Sequence, residues 1–372
     1  DDGGGYYNGC WEIPYKGILG CNLVLDYLDD MKGEDLVRES LRGEALVLRS
    51  WYYFHLINFF GVAYNQGNPE TDLGVPLKLD ATVTGQFFTR NTVKEVYARI
   101  EQDLLRGNKL LSTNRYDRNF FRIDHLAAKA ILSRVYLYME DWDKALAYAD
   151  SVLMVKSNLL DLNDGGRVYN TSSTPDEIIW VREYSEGYSI SFQPRLSPPF
   201  ILSENLIDIY TDNVDFRKSL FLYYNSTITR GYPGISKGSS DYGKMQGIRT
   251  AELYLNRAEA YVRKYLAGGQ DEFRLKALAD LNKLRKYRLN KSKYAEVDLT
   301  DGQELLDFCL TERRRELCGE TSHRWCDVRR LGVTVTHLLY DSSIDYQQDM
   351  GHYVLPIPKL ITEQNPALEQ NQ

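Results

Sequence analysis

Histidine, cysteine and methionine are scarce in this chain, five of each in 372 residues, and that scarcity removes several chemistries at once. There is no Cys-x-x-Cys pair and no His-Glu-x-x-His, so the common zinc and redox patterns are missing. His55 stands without a second ligand nearby and reads as a core histidine on an aromatic face. Neither a Gly-x-Ser-x-Gly elbow nor a phosphate-cradling Gly-x-x-x-x-Gly-Lys is present. Asp161-Leu-Asn-Asp-Gly165 falls short of a calcium loop because its glycine comes one place early. No metal and no cofactor is therefore expected. An excess of positive charge is also lacking: the formal net charge is −7, which argues against a nucleic-acid or anionic-membrane surface. The longest apolar run, Trp51 to Tyr64, is broken by His55 and Asn58 and is too short to span a bilayer. The cysteines are odd in number and scattered. On a helix, Cys10–Cys21 and Cys309–Cys318 lie roughly 16 and 13 Å apart along the axis, beyond the reach of about 7 Å between Cα atoms for a disulfide. Cys318–Cys326 could bridge across a turn, though buried thiols are the simpler reading.

What is present is a globular composition, 43% apolar and 26% charged. Length alone suggests two or three domains, but helical repeats add up to one long body more readily. Apolar residues at Ile18, Leu19, Val24, Leu25 and Leu28 predict a first helix after Pro14, and residues 34–60 a second. Residues 61–89 read as a loop, with Asn-Gln-Gly-Asn-Pro and Gly-Val-Pro marking turns. Thr92 with Glu95 three residues on has the spacing of a capping box, and Asp124 caps a helix over 127–139 in the same way. Asp141-Trp-Asp turns the chain into a helix over 144–155, and small and large residues alternate across the pair, as in a tetratricopeptide hairpin. Between 156 and 248 the character changes to Gly, Ser, Asn, Pro and Tyr, with one clear helix over 202–210 and a short strand over 177–181.

The stretch from Arg249 to Leu331 organises the rest. Ala251, Leu255, Ala258 and Val262 lie on one helix face, and Leu275, Leu278, Leu281 and Leu284 recur near the helical period. Gly268-Gly269 stops the first of these helices. Together they predict an antiparallel hairpin with an alanine-lined seam, followed by a third helix over 304–318. On that helix Glu312, Glu316 and Glu320 share one face. They could be paired catalytic carboxylates, or ion pairs holding the helix against the Arg324–Arg330 segment. Charge ladders on helices are commonly solvated or paired, which favours the second reading.

Read in order, Arg249-Thr-Ala-Glu-Leu-Tyr-Leu-Asn-Arg-Ala-Glu-Ala260, Ala277-Leu-Ala-Asp-Leu-Asn-Lys-Leu-Arg285, Glu312-Arg-Arg-Arg-Glu-Leu317 and Arg324-Trp-Cys-Asp-Val-Arg-Arg330 resemble the SusD/RagB family. So do the tail, Tyr353-Val-Leu-Pro-Ile-Pro358 and Gln364-Asn-Pro-Ala-Leu-Glu-Gln-Asn371, and the early Leu41-Arg-Gly-Glu-Ala45. In this resemblance Glu312, Glu316, Arg324, Trp325, Asp327 and Arg330 are structural motif residues. The family consists of surface-exposed nutrient-binding lipoproteins of the Bacteroidetes outer membrane. The resemblance implies a mainly α fold: one SusD-like domain over 1–372, with tetratricopeptide-like helical hairpins over 9–155. An irregular, loop-rich ligand-binding segment over 156–248 would follow, then a C-terminal hairpin with the family motifs over 249–340 and an extended tail over 341–372.

It further implies capture of nutrient oligomers, most often oligo- or polysaccharides, and delivery to a SusC-like TonB-dependent transporter. The chain opens Asp1-Asp-Gly-Gly-Gly, with neither an initiator methionine nor a signal peptide, and is read as less than a full gene product. Membrane attachment is expected only through an N-terminal lipid anchor absent from this chain. Family ligand contacts come from the stretch before the first hairpin and from the irregular middle. By region, this points to Tyr6, Tyr7 and Asn8 with Tyr188, Phe192 and Arg195 as glycan-stacking and hydrogen-bonding residues. Loop aromatics such as Tyr184, Phe200, Tyr223, Tyr224, Tyr232 and Tyr242 suit the same role, because a flat ring can stack on the C–H face of a sugar, but such rings equally serve to cover an irregular core, and taken singly each fits that more often. Two other classes compete. A helical-repeat protein binding peptides or proteins would show a polar ladder along its hairpins. A glycoside hydrolase would need two carboxylates in a cleft about 5 to 9.5 Å apart, for which Asp208, Asp212 and Asp215 are the loop candidates.

Overall fold

The computed structural model describes residues 4–114, 119–166, 168–169, 177–183, 202–224, 233–235, 237, 245–320, 322–338 and 345–371. At 4–8, 183, 223–224, 233, 245–246, 338 and 345 the description is of the backbone alone. In chain order the elements are α1 (Gly4–Tyr27), α2 (Asp35–Phe60), α3 (Val93–Thr113), α4 (His125–Tyr138), α5 (Trp142–Leu153), β1 (Ile178–Glu183), α6 (Glu204–Ile207), α7 (Phe216–Phe221), β2 (Leu222–Tyr224), β3 (Pro233–Ile235), β4 (Met245–Arg249), α8 (Thr250–Leu266), α9 (Asp271–Lys286), α10 (Gly302–Leu317), α11 (His323–Leu331), β5 (Val335–Leu338), β6 (Asp345–Gln348) and α12 (Lys359–Gln364). The fold is mainly α, built on tetratricopeptide-like helical hairpins. The strands among the described residues pair antiparallel as β1–β4, β2–β3 and β5–β6. Two compact units result, Asp1–Glu140 with Trp325–Gln372, and Asp141–Arg324.

Capping chemistry sets several helix starts. The Thr92 hydroxyl accepts from Glu95 N at 3.2 Å while the Glu95 carboxylate accepts from Thr92 N at 2.9 Å, so two orphan donors of α3 are satisfied reciprocally. Asp124, Asp141 and Asp301 each accept from the amide three residues on. Asp141 thus starts α5 at Trp142, two residues before the expected start.

In the first unit, α1 packs on α2, α2 on α3 and α3 on α4. Its core is aromatic along α2, where Trp51, Tyr53, Phe54 and Phe60 are buried, and aliphatic along α3 and α4. The α2–α3 crossing depends on two glycines. A Cβ at Gly107 would stand 2.6 Å from Val47 Cγ2 and 2.9 Å from Gly43 O, and one at Gly43 would meet Leu111 at 2.8 Å. That close approach accounts for the glycine of Leu41-Arg-Gly-Glu-Ala45. Arg49, buried on α2, donates to both carboxylate oxygens of Asp103 on α3 at 2.7 and 3.0 Å and to Asn22 Oδ1 on α1 at 2.8 Å. His55 is half-buried, its ring edge-to-face with Trp51 at 4.5 Å.

Helix α1 departs from expectation. It begins at Gly4 and carries Pro14 inside it. Proline removes one backbone bond, but Trp11 stacks edge-to-face on Phe60 at 4.8 Å and Tyr15 on Tyr53 at 6.5 Å, so packing on α2 carries the helix through. The buried face is Trp11, Ile18 and Cys21, with Leu28 buried just past the helix end, leaving Leu19 and Val24 exposed.

The family motif of α11 and the tail close this unit. Trp325 Nε1 donates to Asn58 O at 2.9 Å, and Arg329 donates to Asn58 O and Gly61 O, satisfying carbonyls at the C-terminal end of α2. Asn371 donates to Phe60 O and Leu355 O. Buried Arg90 donates to the carbonyls of Phe60, Leu73, Gly74 and Glu369, and burial lowers it to about 10.

In the second unit α8 is central, touching α5, α9 and α10. Ala251, Ala258, Ala260 and Ala277 are fully buried, in keeping with the close packing of α8 on α9 and its other neighbours. Gly268 takes a left-handed φ of 87°, where a side chain would be strained, and ends α8. Leu275, expected on the buried face of α9, is 52% exposed, whereas Leu278, Leu281 and Leu284 are buried. Each three-residue step falls about 60° short of a full turn, so after three steps Leu275 lies opposite Leu284. The five cysteines carry no disulfide; Cys10 is half-buried and the others are buried, Cys318 and Cys326 among them.

Candidate functional site

The irregular segment is organised at its base by strands. Residues Ile178–Glu183 pair antiparallel with Met245–Arg249, register Val181↔Gly247, so the chain leaves the helices and returns to them through one two-stranded stem. The stem is longer than the expected strand over 177–181, and β4 runs straight into α8 at Thr250. Within the segment, the expected helix over 202–210 is the single turn α6, and α7 and the β2–β3 pair were not foreseen. Tyr223 and Tyr224, expected in loops, lie on β2.

Beneath the stem sits a buried ionic cluster. Glu177, Asp215, Glu312, Glu316 and Glu320 are each at most 6% exposed, as are Arg217, Lys237, Arg249 and Arg288. Glu316 receives Arg288 at 2.9 Å on each oxygen, Arg249 at 3.0 Å and Arg217 at 3.2 Å. Glu320 receives Arg249 at 2.9 Å, Lys237 Nζ at 2.6 Å and the Tyr169 hydroxyl at 2.8 Å. Glu177, at the foot of the stem, takes Arg288 at 3.0 Å and Arg249. Arg217 also donates to Asp215 at 2.7 Å and to Glu312 at 3.0 Å, and Glu312 takes Arg315 on its other oxygen. Burial opposes ionisation of Glu316, but Arg288, Arg249 and Arg217 hold it well below its usual range. Glu320 is likewise brought down against burial by Arg249 and Lys237, from 4.5 to about 2.

With every carboxylate committed to a cation, the cluster fixes backbone rather than reacting with a ligand. It holds the irregular segment at Tyr169, Glu177, Asp215–Arg217 and Lys237 against α9 and α10. The Glu312–Glu316–Glu320 ladder is thus met largely by cations outside the Arg324–Arg330 segment it was expected to bind. In that segment Arg324 is exposed, Arg330 pairs with Asp327 at 2.9 Å, and Trp325 and Arg329 serve the end of α2. The hydrolase candidates do not form a cleft pair: Asp215 is buried against Arg217, Asp212 pairs with Lys218 at 2.7 Å, and Asp208 is exposed.

Of the stacking candidates, Tyr6, Tyr7 and Asn8 lie on the first turns of α1, with side chains outside the described ones. Tyr188, Phe192 and Arg195 lie outside the described residues, as do Tyr184, Phe200, Tyr232 and Tyr242. Sequence reasoning missed Glu177, Arg217, Lys237 and Arg288. Glu177, Arg217 and Lys237 are charged residues in stretches with no periodicity to assign a face, Arg288 lies just past the end of α9, and of the cluster's cations only Arg249 stood inside a motif.

Comparison with known proteins agrees with this architecture. Residues 2–137 match a family model described as SusD-like, starch-binding associating with outer membrane, and residues 203–372 match the SusD family model. A curated SusD-like protein from Formosa agariphila is 24% identical over 97% of this chain and 78% of its own length. A crystal structure of a SusD superfamily protein from Bacteroides thetaiotaomicron superposes with a TM-score of 0.81 at 23% identity, covering 97% of this chain and 85% of that one. A SusD-like carbohydrate binding protein from Bacteroides vulgatus gives 0.75 at 24% identity, covering 96% and 83%. With family models matched at both ends and this fold between them, the chain belongs to the SusD/RagB family.

Proposed function

We propose that this protein binds nutrient oligomers, most favourably glycans, at the cell surface of the outer membrane, and passes them to a SusC-like TonB-dependent transporter. The observation that carries this reading is the match of residues 2–137 to a model described as starch-binding and outer-membrane-associated. A relative of the same fold is described as carbohydrate-binding, which supports it. No helix among the described residues is long and apolar enough to cross a membrane; attachment through an N-terminal lipid anchor is part of the proposal and rests on the family resemblance alone.

In this reading the protein is a binder and not an enzyme. Residues 156–248 form the ligand-binding segment, with Tyr188 and Phe192 stacking on sugar rings and Arg195, with Tyr6, Tyr7 and Asn8, taking hydroxyls. Support for a recognition role comes from the way the segment is held: a rigid base is what loop-borne specificity requires. Affinity electrophoresis of the purified chain against plant, host and microbial polysaccharides tests the reading. Retardation by one class, lost in Tyr188→Ala or Phe192→Ala, is the expected result. Migration unchanged in every polysaccharide, with binding to peptides instead, would overturn it.

A further inference from the structure

The β5–β6 hairpin of the first unit carries an exposed row of rings that the reading above does not use. His337 and Tyr346 are register partners across the hairpin, their centroids 6.4 Å apart and 31° between planes. Tyr346 meets His352 edge-to-face at 5.5 Å. Tyr346 is 43% exposed, and both imidazoles are exposed.

A single surface tyrosine is ordinary. Three adjoining rings whose polar neighbours are already oriented are not. His337 Nε2 is 3.0 Å from Gln348 Oε1, and His352 Nδ1 is 2.8 Å from Asp349 Oδ1. Asp349 also accepts from Gly351 N at 3.0 Å, and its carboxyl is held low first by His352 and then by that amide. An ionised carboxylate accepts only, so the proton between them sits on Nδ1. The base is fixed as well: the buried Tyr353 hydroxyl lies 2.7 Å from Val333 O and 2.9 Å from Gln348 O, sharing its one proton between them, and its ring packs edge-to-face on Trp325 at 5.7 Å.

We propose that Tyr346, flanked by His337 and His352, is a separate platform for one neutral sugar ring of a longer glycan. The tyrosine face takes the C–H face of the ring, and Gln348, Asp349 and the imidazoles take its hydroxyls. The fixed charge bonded to this cluster is the Asp349 carboxylate, which disfavours uronic or sulfated sugars. The proposal rests on the glycan reading but uses different residues, so the two can fail separately.

The test is affinity electrophoresis of the full chain in amylopectin, mixed-linkage β-glucan, arabinoxylan and galactomannan. Imidazole NMR with the matching oligosaccharide accompanies it; five histidines are few enough to assign by substitution. Tyr346→Leu should weaken retardation by about two- to tenfold. Tyr346→Phe should restore it, and the His337 and His352 signals should shift. Retardation surviving Phe192→Ala but lost in Tyr346→Leu would also support the platform, and would move the main site here. If the unsubstituted chain is retarded, Tyr346→Leu migrates with it and the imidazole signals stay still, the platform is overturned and the main reading stands. No retardation with unmoved signals overturns both.

Discussion

At the scale of single residues, the informative groups are the charges that have no water. Arg249 touches Glu177, Glu316 and Glu320 while 1% exposed. Removing it takes one cation from each of three carboxylates, which keep Arg288, Arg217 or Lys237, and breaking a buried pair costs about 3 to 5 kcal/mol. Arg249→Met should therefore lower unfolding free energy by that amount in a urea titration, and Arg249→Lys by less. The same cluster sets an acid limit. Glu316 and Glu320 have depressed values in the folded state, so their contribution is complete above the unfolded value of 4.5 and is lost as protons are taken up. Stability should fall as pH drops from 4.5 toward about 2 for Glu320, and Glu320→Gln should be weaker at neutral pH with a shallower slope in that window. Circular dichroism melts across pH 2 to 7 would check the sign.

At the scale of elements, glycine separates propensity from packing. Replacing a helical glycine by alanine gains about 1 kcal/mol where the methyl has room. A Cβ at Gly20 meets nothing within 4 Å, so Gly20→Ala should stabilise by about 0.5 to 1 kcal/mol. At Gly107 the methyl would meet Val47 and a backbone oxygen of α2 that cannot swing aside. Overpacking of this kind costs about 1 to 3 kcal/mol, so Gly107→Ala should be net destabilising; paired denaturation curves of the two variants decide it. Helices were legible because their signals are local: the Thr92 box and the alanine spacing of α8 each act within a few residues. Leu275 and Pro14 misled for the opposite reason. A three-residue repeat drifts off a 3.6-residue face, and only contact with α2 tells that a prolyl bond is tolerated.

At the scale of the whole molecule, binding is linked to stability. If glycan binds the folded chain alone, saturating polysaccharide at about 100 times Kd should add about 2.7 kcal/mol, raising the melting temperature in scanning calorimetry. Tyr188→Ala or Phe192→Ala, where it abolishes retardation by the polysaccharide, should show no rise.

The sequence by itself determined the helical class, the hairpins and the family, because periodicity, caps and ordered motifs are written along the chain. It also placed Glu312 and Glu316 on one helix face, whereas Glu320, expected on the same face, lies past the end of α10 at Leu317. Tertiary structure alone decided which cations meet that ladder. Glu177, Asp215, Arg217 and Lys237 come from stretches without periodicity, and Arg288 follows a helix end, so their meeting depends on long-range folding. The same holds for the His337, Tyr346 and His352 row. Strand register and one 3-10 turn bring those rings together, and no local pattern announces either.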